Sequence, residues 1–279
     1  MNIGIVGLGL IGGSIGLRLQ TLNHTVYGVV NNKYNQEKAT ERKLATHIST
    51  DLNILRECSV IFLALPIKYL IKPNKELIDA IPLKSIITDI ASIKEPVINT
   101  WEKLHPLFIG SHPMAGTEHK GVNAGSNDLL ENAKWLITTT PKTDINSVKI
   151  LSELITSMKC KVITTTPENH DQATSLISHL PIFLASSLIE TANSENNLIM
   201  DKLLQNIASS GFADTSRVGG GNSELGHDLA KYNSKNILSA INIFKTNLEA
   251  FEKAILEKDW ELIFNRLEKS KYIRSKFLN

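Results

Sequence analysis

Residues 1–20 read MNIGIVGLGLIGGSIGLRLQ, and the placing of apolar residues and glycines within them decides the fold. Asn2 to Val6 is a short β-branched run, and Gly7, Gly9 and Gly12 follow it at once as G-x-G-x-x-G, ahead of a helical pattern. In that position each glycine has a task. The first allows a tight turn, the second lets the backbone approach a pyrophosphate, and the third lets helix and strand pack closely. Gly7, Leu8, Gly9, Leu10, Ile11 and Gly12 are therefore expected to hold the phosphates of a dinucleotide, helped by free N–H groups and the positive end of the helix dipole. The alternative is glycines that serve only the turn, and their position directly after a first strand speaks against it. A secretory signal would also be apolar, but this stretch lacks a basic n-region and carries six glycines.

Outward from this stretch, β-branched runs at 25–30, 60–65, 86–90 and 107–110 alternate with helical patterns, as in a parallel sheet covered by helices on both faces. Residues 134–139 and 161–165 are candidate outer strands. After Pro167 such runs cease and long helical segments follow, for example at 171–192 and 229–256. The expected architecture is α/β: an N-terminal Rossmann-type dinucleotide-binding domain, residues 1–166, and an all-helical C-terminal domain, residues 167–279. A chain of 279 residues with 42% hydrophobic content fits two domains better than one core. Residues 175–189 are apolar almost all round, which buries a helix on every side and points to a homodimer built on the helical domain.

Lysine and arginine total 30 against 28 acidic residues, a net charge of +2 that gathers neither nucleic acid nor an anionic membrane. A small-molecule substrate is expected. Cys58 and Cys160 lie far apart without CxxC spacing, as in a reducing compartment, and are read as buried thiols. No histidine or carboxylate pair has metal-ligand spacing, so no metal is expected. The longest apolar run, 180–188, is broken by serines and falls short of the roughly 20 residues of a membrane span. A cytoplasmic protein is the simplest reading.

Where an NAD site carries Asp or Glu for the ribose 2′-hydroxyl, this chain has Asn31, Asn32 and Lys33. No carboxylate is there to repel a 2′-phosphate, and two amides and an ammonium can donate to it, so NADP is expected. An ordinary polar turn is the alternative. Leu65 and Pro66, at the end of the third run, are placed against the cofactor as well.

The segment Gly110-Ser-His112-Pro-Met-Ala-Gly116-Thr117-Glu118, preceded by Asp89-Ile-Ala-Ser92-Ile-Lys94, resembles the prephenate/arogenate dehydrogenase family. Glu168-Asn-His170-Asp171, Ser178-His179-Leu-Pro181 and Gly211-Phe212-Ala-Asp214-Thr-Ser-Arg217 follow in the family's order, so the resemblance spans almost the whole chain. It implies an oxidative decarboxylation that makes the aromatic ring of tyrosine. His112 would be the catalytic histidine. Ser92 would hydrogen-bond it and approach the nicotinamide, and Arg217 would grip the carboxylate on the substrate ring. His179 would bind the side-chain end, with Thr117 and Glu118 at the pocket rim. A neutral imidazole suits removal of the hydroxyl proton as hydride departs, and a guanidinium offers a planar grip that never loses charge.

The chain is similar to the compact cyanobacterial-type branch, whose implied substrate is arogenate with NADP. Glu118 or Asp171 would then accept the substrate ammonium. His170 and Asp171 are otherwise read as caps of the long helix. The chain departs from the family where many members carry a tryptophan and it reads Asn222-Ser-Glu-Leu-Gly226-His227-Asp, and in the run Gly219-Gly220-Gly221. Ending at Asn279, it is expected to carry neither a fused mutase nor a regulatory domain. The alternatives are a prephenate dehydrogenase, another two-domain β-hydroxyacid or imino-acid dehydrogenase, and a non-catalytic NADP sensor.

Overall fold

Strand β1 (Asn2–Val6) is buried along almost its whole length, which a strand tolerates only when covered on both faces. The structure, a computed structural model, describes residues 1–117, 119–194 and 197–278. Strands β2 (Thr25–Val29), β3 (His47–Ser49), β4 (Val60–Leu63), β5 (Ile86–Asp89), β6 (Phe108–Pro113), β7 (Lys134–Thr138) and β8 (Lys161–Thr165) complete one sheet in the order β3-β2-β1-β4-β5-β6-β7-β8. The strands from β1 to β6 are parallel, β7 runs antiparallel to β6, and β8 is parallel to β7. The order reverses between β1 and β4, so their carboxyl ends flank the crevice in which such sheets bind ligands.

Helices α1 (Leu10–Thr21), α2 (Lys33–Glu41), α3 (Ile67–Ile71), α4 (Lys75–Ala80), α5 (Glu95–Trp101) and α6 (Ile145–Ser157) connect these strands. Ile3, Ile5, Ile15, Leu19, Phe62 and Trp135 anchor the core with no exposed surface. Burial of each such side chain is worth about 1.5–3 kcal/mol.

Three local outcomes differ from the sequence expectation. Strand β3 was not foreseen; it is three residues long and forms by pairing Ile48 with Gly28. Strand β6 does not end at Gly110 but runs on to Pro113, because β7 pairs Gly110 with Thr138 and Pro113 with Trp135. His112 therefore sits inside a strand. The helix expected at 229–256 breaks at Asn233, whose φ of −122° and ψ of 29° end α11 (Ser223–Tyr232) before α12 (Ser234–Leu256) starts.

From Pro167 to Ala192 the chain is helical throughout, as α7 (Pro167–Thr174), a π-helical turn (Ser175–His179) and α8 (Leu180–Ala192). Pro181 has no N–H, which leaves the Ile177 carbonyl without its usual donor four residues on. The Leu180 N–H reaches back five residues to the Ser175 carbonyl instead. The buried stripe follows this change of pitch: His170 and Thr174 are four apart, Thr174 and His179 five, and all are at most 1% exposed. By length and composition alone this helix could cross a membrane. Helices α9 (Leu198–Ile207), α10 (Ser210–Ser216) and α13 (Trp260–Leu278) complete the chain.

By packing, the chain divides into Met1–Asn233 and Ser234–Asn279. Within the second unit Ile237, Ala240 and Ala254 are buried, whereas Leu238, Ile243, Leu248, Trp260 and Phe264 are exposed.

Candidate active site

The glycine loop divides its work as its spacing suggests. Gly7 has a φ of 99°, and a Cβ there would stand 2.3 Å from the Ala64 carbonyl oxygen. A Cβ on Gly12 would lie 2.0 Å from the Gly7 carbonyl oxygen, so helix and turn touch backbone to backbone. Around Gly9 nothing lies within 4 Å of such a Cβ. Gly7 and Gly12 thus serve the protein's own packing, while Gly9 faces open space at the start of α1, where it caps the helix without a side-chain hydrogen bond. The N–H groups of that first turn have no acceptor in the helix. The loop fits the pyrophosphate of a dinucleotide. Leu65 stands beside Gly7, and Pro66 begins α3.

Asn31, Asn32 and Lys33 are exposed at the end of β2. Asn32 caps α2, its side chain accepting the Asn35 N–H at 2.8 Å, and Asn31 Oδ1 accepts from Asn35 Nδ2 at 2.7 Å. The amides thus have a structural task, and the positive end of α2 lies among them.

His112 is 7% exposed near the carboxyl end of β6. Its Nδ1 lies 2.9 Å from Nε2 of His170, and Nδ1 of His170 lies 2.7 Å from Oδ1 of Asp171. Asp171 accepts the backbone N–H groups of Lys94 at 2.7 Å and Glu95 at 2.9 Å. His170 and Asp171 therefore do not cap their own helix: Thr166 caps α7, and Asp171 satisfies the start of α5, more than seventy positions away. With both oxygens engaged and 1% exposed, Asp171 is not available to a substrate ammonium. The hydrogen bond expected from Ser92 to His112 is not formed among the described residues, since His170 takes Nδ1 and Nε2 is left open. Ser92 is half-buried on the turn from β5 to α5.

His179 is fully buried. Asn233 Nδ2 donates to the Asp171 carbonyl at 2.9 Å and lies 3.1 Å from His179 Nδ1. The Ser92 carbonyl favours the charged form of this ring, but Nε2 reaches no partner in hydrogen-bond geometry among the described residues. Burial keeps all three imidazoles neutral. It holds His112 well below the ordinary imidazole value, with His170, Lys94 and His179 adding to the effect, and pushes His170 down to about 2 and His179 to about 4.

Beneath the histidines Lys94 and Asp89 form an ion pair without exposed surface. Lys94 Nζ also donates to the Ser111 carbonyl at 2.6 Å, and Asp89 accepts from the Ala91 and Ser111 N–H groups. Burial pushes Asp89 up and Lys94 down, each partner opposing the other's shift. Trp135 Nε1 donates to Ser111 Oγ at 2.9 Å, which locks the residue next to His112.

The other expected residues stand apart from this cluster. Arg217 ends α10, is exposed and makes no side-chain hydrogen bond or ion pair among the described residues. Just beyond it the backbone of Gly219 presses on α8, so closely that a Cβ would stand 2.4 Å from the Ser186 nitrogen. Thr117 is exposed, its hydroxyl accepting the His119 N–H at 3.2 Å. Glu118 lies outside the described residues. Arg42 holds the loop that carries Thr117, donating to the Val122 and Gly125 carbonyls at 2.6 and 2.7 Å. Both cysteines are buried, Cys58 raised by burial to about 12 and Cys160 to about 11. No group of three histidines, cysteines or carboxylates among the described residues is placed to hold a metal ion.

Two family descriptions match the sequence: prephenate dehydrogenase, nucleotide-binding domain, over residues 15–164, and prephenate dehydrogenase, dimerization domain, over residues 166–269. The prephenate dehydrogenase of Bacillus subtilis is 29% identical over 278 residues, 97% of this chain and 74% of that protein. The structure of Synechocystis arogenate dehydrogenase aligns with a TM-score of 0.84 at 37% identity, over 99% of this chain and all 100% of the other. That of prephenate dehydrogenase from Aquifex aeolicus, in complex with hydroxyphenyl propionate and NAD+, aligns with a TM-score of 0.91 at 26% identity, over 99% and 98%.

Proposed function

The chain belongs to the prephenate dehydrogenase family, and from that premise we propose that it converts L-arogenate to L-tyrosine by oxidative decarboxylation, with NADP as hydride acceptor, as a cytoplasmic homodimer. The chain is an oxidoreductase of the prephenate/arogenate class with a nicotinamide dinucleotide cofactor.

The observation that carries the reading is His112, buried at the carboxyl edge of the sheet with Nε2 open. The substrate's ring alcohol must lose its hydroxyl proton as its C–H electron pair leaves as hydride, and an imidazole nitrogen without a partner takes that proton. The bound nicotinamide supplies the acceptor for that electron pair. The electrons of the C–C bond to the departing carboxylate then complete the aromatic ring as carbon dioxide leaves, and the ring oxygen takes the proton back from His112 to give the phenol. Arg217 is assigned the ring carboxylate, His179 the side-chain end, Thr117 and Glu118 the rim, and Ser92 the nicotinamide side of His112. A buried His179 nitrogen without a partner is the kind of group a substrate anion satisfies. Both substrate carboxylates would also offset the fall in the His112 pKa.

NADP is supported by the exposed Asn31, Asn32 and Lys33 at the positive end of α2, with no carboxylate among them. Arogenate is supported by the likeness to the Synechocystis enzyme. The names of the Bacillus and Aquifex relatives favour a second reading, prephenate as substrate. The homodimer is supported by the match to a dimerization domain and by the apolar side chains left exposed on α12 and α13. A soluble, cytoplasmic setting is supported by the helix from Pro167 to Ala192, whose His170, Asp171 and His179 are bonded within the protein.

Steady-state rates for arogenate and prephenate, each with NADP and NAD, test the proposal. The expected outcome is higher efficiency on arogenate and at least a tenfold preference for NADP, about 1.4 kcal/mol. Comparable rates on both substrates would defeat the substrate assignment, and equal or better efficiency with NAD would defeat the cofactor assignment.

A further inference from the structure

We propose that His170 and Asp171 are positioning residues that hold the His112 ring with its proton on Nδ1, so that the Nε2 lone pair is the one offered to the substrate hydroxyl. The inference rests on the reading of His112 as the base and deepens it.

The wiring starts at Asp171, whose two oxygens face the Lys94 and Glu95 N–H groups. Two backbone donors, one on each oxygen, and the nearby Lys94 ammonium favour the ionised carboxylate and oppose the upward push of burial. His170 Nδ1, 2.7 Å from Oδ1, must then carry the proton of that contact. Burial keeps the His170 ring neutral, so its single proton is spent there and Nε2 is a lone pair. His112 Nδ1, 2.9 Å away, must donate to it. The His112 ring is neutral as well, which leaves its Nε2 bare. Asp171 thus decides, through two rings, which nitrogen of His112 is basic.

The same chain receives the charge made by the reaction. Once Nε2 has taken the substrate proton, the positive ring points its Nδ1–H at His170, which in turn points its own at the carboxylate. Among the described residues, the other charged or titratable groups that act on these rings are Lys94, paired with Asp89, and His179. Protonation of Asp171 would reverse the wiring and put a proton on the wrong nitrogen of His112. Burial raises Asp171 towards that form, while the Glu95 and Lys94 N–H groups and the Lys94 charge pull it back.

The tautomer can be read directly in the full-length protein labelled with 15N-histidine, with His112 assigned by the signal lost in His112→Gln. At neutral pH, His112 Nε2 should resonate as an unprotonated nitrogen and Nδ1 as a protonated one; the opposite pattern, or an even mixture, overturns the proposal. Kinetics give a second arm. His170→Leu removes the acceptor and should lower kcat on the order of 10² to 10³, by analogy with the loss seen when a catalytic histidine is held in the wrong tautomer. KM and NADP affinity should stay within about threefold, a loss confined to kcat being the mark of an interaction made in the transition state. His170→Gln, whose side-chain carbonyl can accept the His112 proton, should recover about tenfold or more of that loss. Equal losses in two folded variants would mean that His170 only fills space, and the proposal would fall. If the native enzyme turns over neither substrate, the role of His112 as a base fails, yet the nitrogen shifts still decide the tautomer.

Discussion

A buried imidazole with one nitrogen engaged and the other open has little choice of role, and His112 is such a ring. Its replacement by alanine should lower turnover by roughly 10² to 10⁴, the usual worth of a general base, while cofactor affinity stays unchanged. Ser92→Ala, without a hydrogen bond to His112 to lose, should do less. Rapid-quench turnover with equilibrium NADP titration separates the two effects, and near-normal turnover in the His112 variant would remove it from the mechanism. The tight turn at Gly7 and Gly12 was legible because it belongs to a local pattern, and such a pattern also singled out His112. His170 and Asp171 were read as helix caps, since no local pattern says that a carboxylate's partners are the N–H groups of residues 94 and 95. The buried imidazoles also set a pH dependence. Unfolded, His170 titrates near 6.5; folded, burial pushes it to about 2. In that window the unfolded chain binds the extra proton, so stability falls as pH falls, by up to about 1.4 kcal/mol per pH unit for one site. His179 acts in the same sense down to about 4, and the raised Asp89 and Asp171 oppose both. His170→Gln should therefore make the urea unfolding free energy depend less steeply on pH just below 6.5. A slope parallel to that of the native chain would contradict a neutral, buried His170.

At the scale of elements, β5, β6 and α5 are joined by the Lys94–Asp89 pair and by Ser111 between them. Breaking a buried pair on one side strands the other charge, so Lys94→Met should destabilise by about 3–5 kcal/mol, with Lys94→Met and Asp89→Asn combined costing less than the single change. Urea melts of Lys94→Met, Asp89→Asn and the double variant decide it; a double variant as unstable as the sum of its parts would mean that the groups act independently. Strand positions followed the β-branched runs closely for β1, β2, β4 and β5. The extension of β6 to Pro113 was not legible, because it depends on pairing with β7, more than twenty residues on. Nor was β3, which has too few residues for any alternation to show. The break at Asn233 was hidden by an uninterrupted helical pattern, and its reason is tertiary: the side chain is drawn to the Asp171 carbonyl and His179.

At the scale of the whole molecule, the two ends of the chain bury their apolar residues very differently. Of the first five strands, β1, β4 and β5 are almost wholly inaccessible, whereas in α13 Trp260, Leu262, Phe264, Leu267 and Phe277 all stand exposed. Large contiguous apolar surface seldom faces water in a soluble monomer. Sedimentation equilibrium at micromolar concentration should find a dimer, and the single variant Phe264→Glu should weaken it. A stable monomer in the native protein would contradict the proposed assembly. The same expectation arises in the sequence from residues 175–189, apolar almost all round. In the first unit Leu176, Ile177 and Leu188 are indeed exposed, so the demand for a cover reaches back to the helix that carries His179.

The π-helical turn at Ser175–His179 bears on how this helix can tolerate insertions and deletions. Removing one residue from an ordinary α-helix rotates everything downstream by about 100° relative to what precedes it. Here the helix already carries one residue more than its turns require, and Thr174 and His179 share a face across a step of five. Deleting the exposed Ile177 would turn that step into the usual four, although Pro181, still without an N–H, would leave one carbonyl of the turn without a donor. His179 would keep its place on the buried stripe. Length variation at this point is thus nearly silent for the histidine cluster, and relatives one residue shorter between His170 and Pro181 would present the same face.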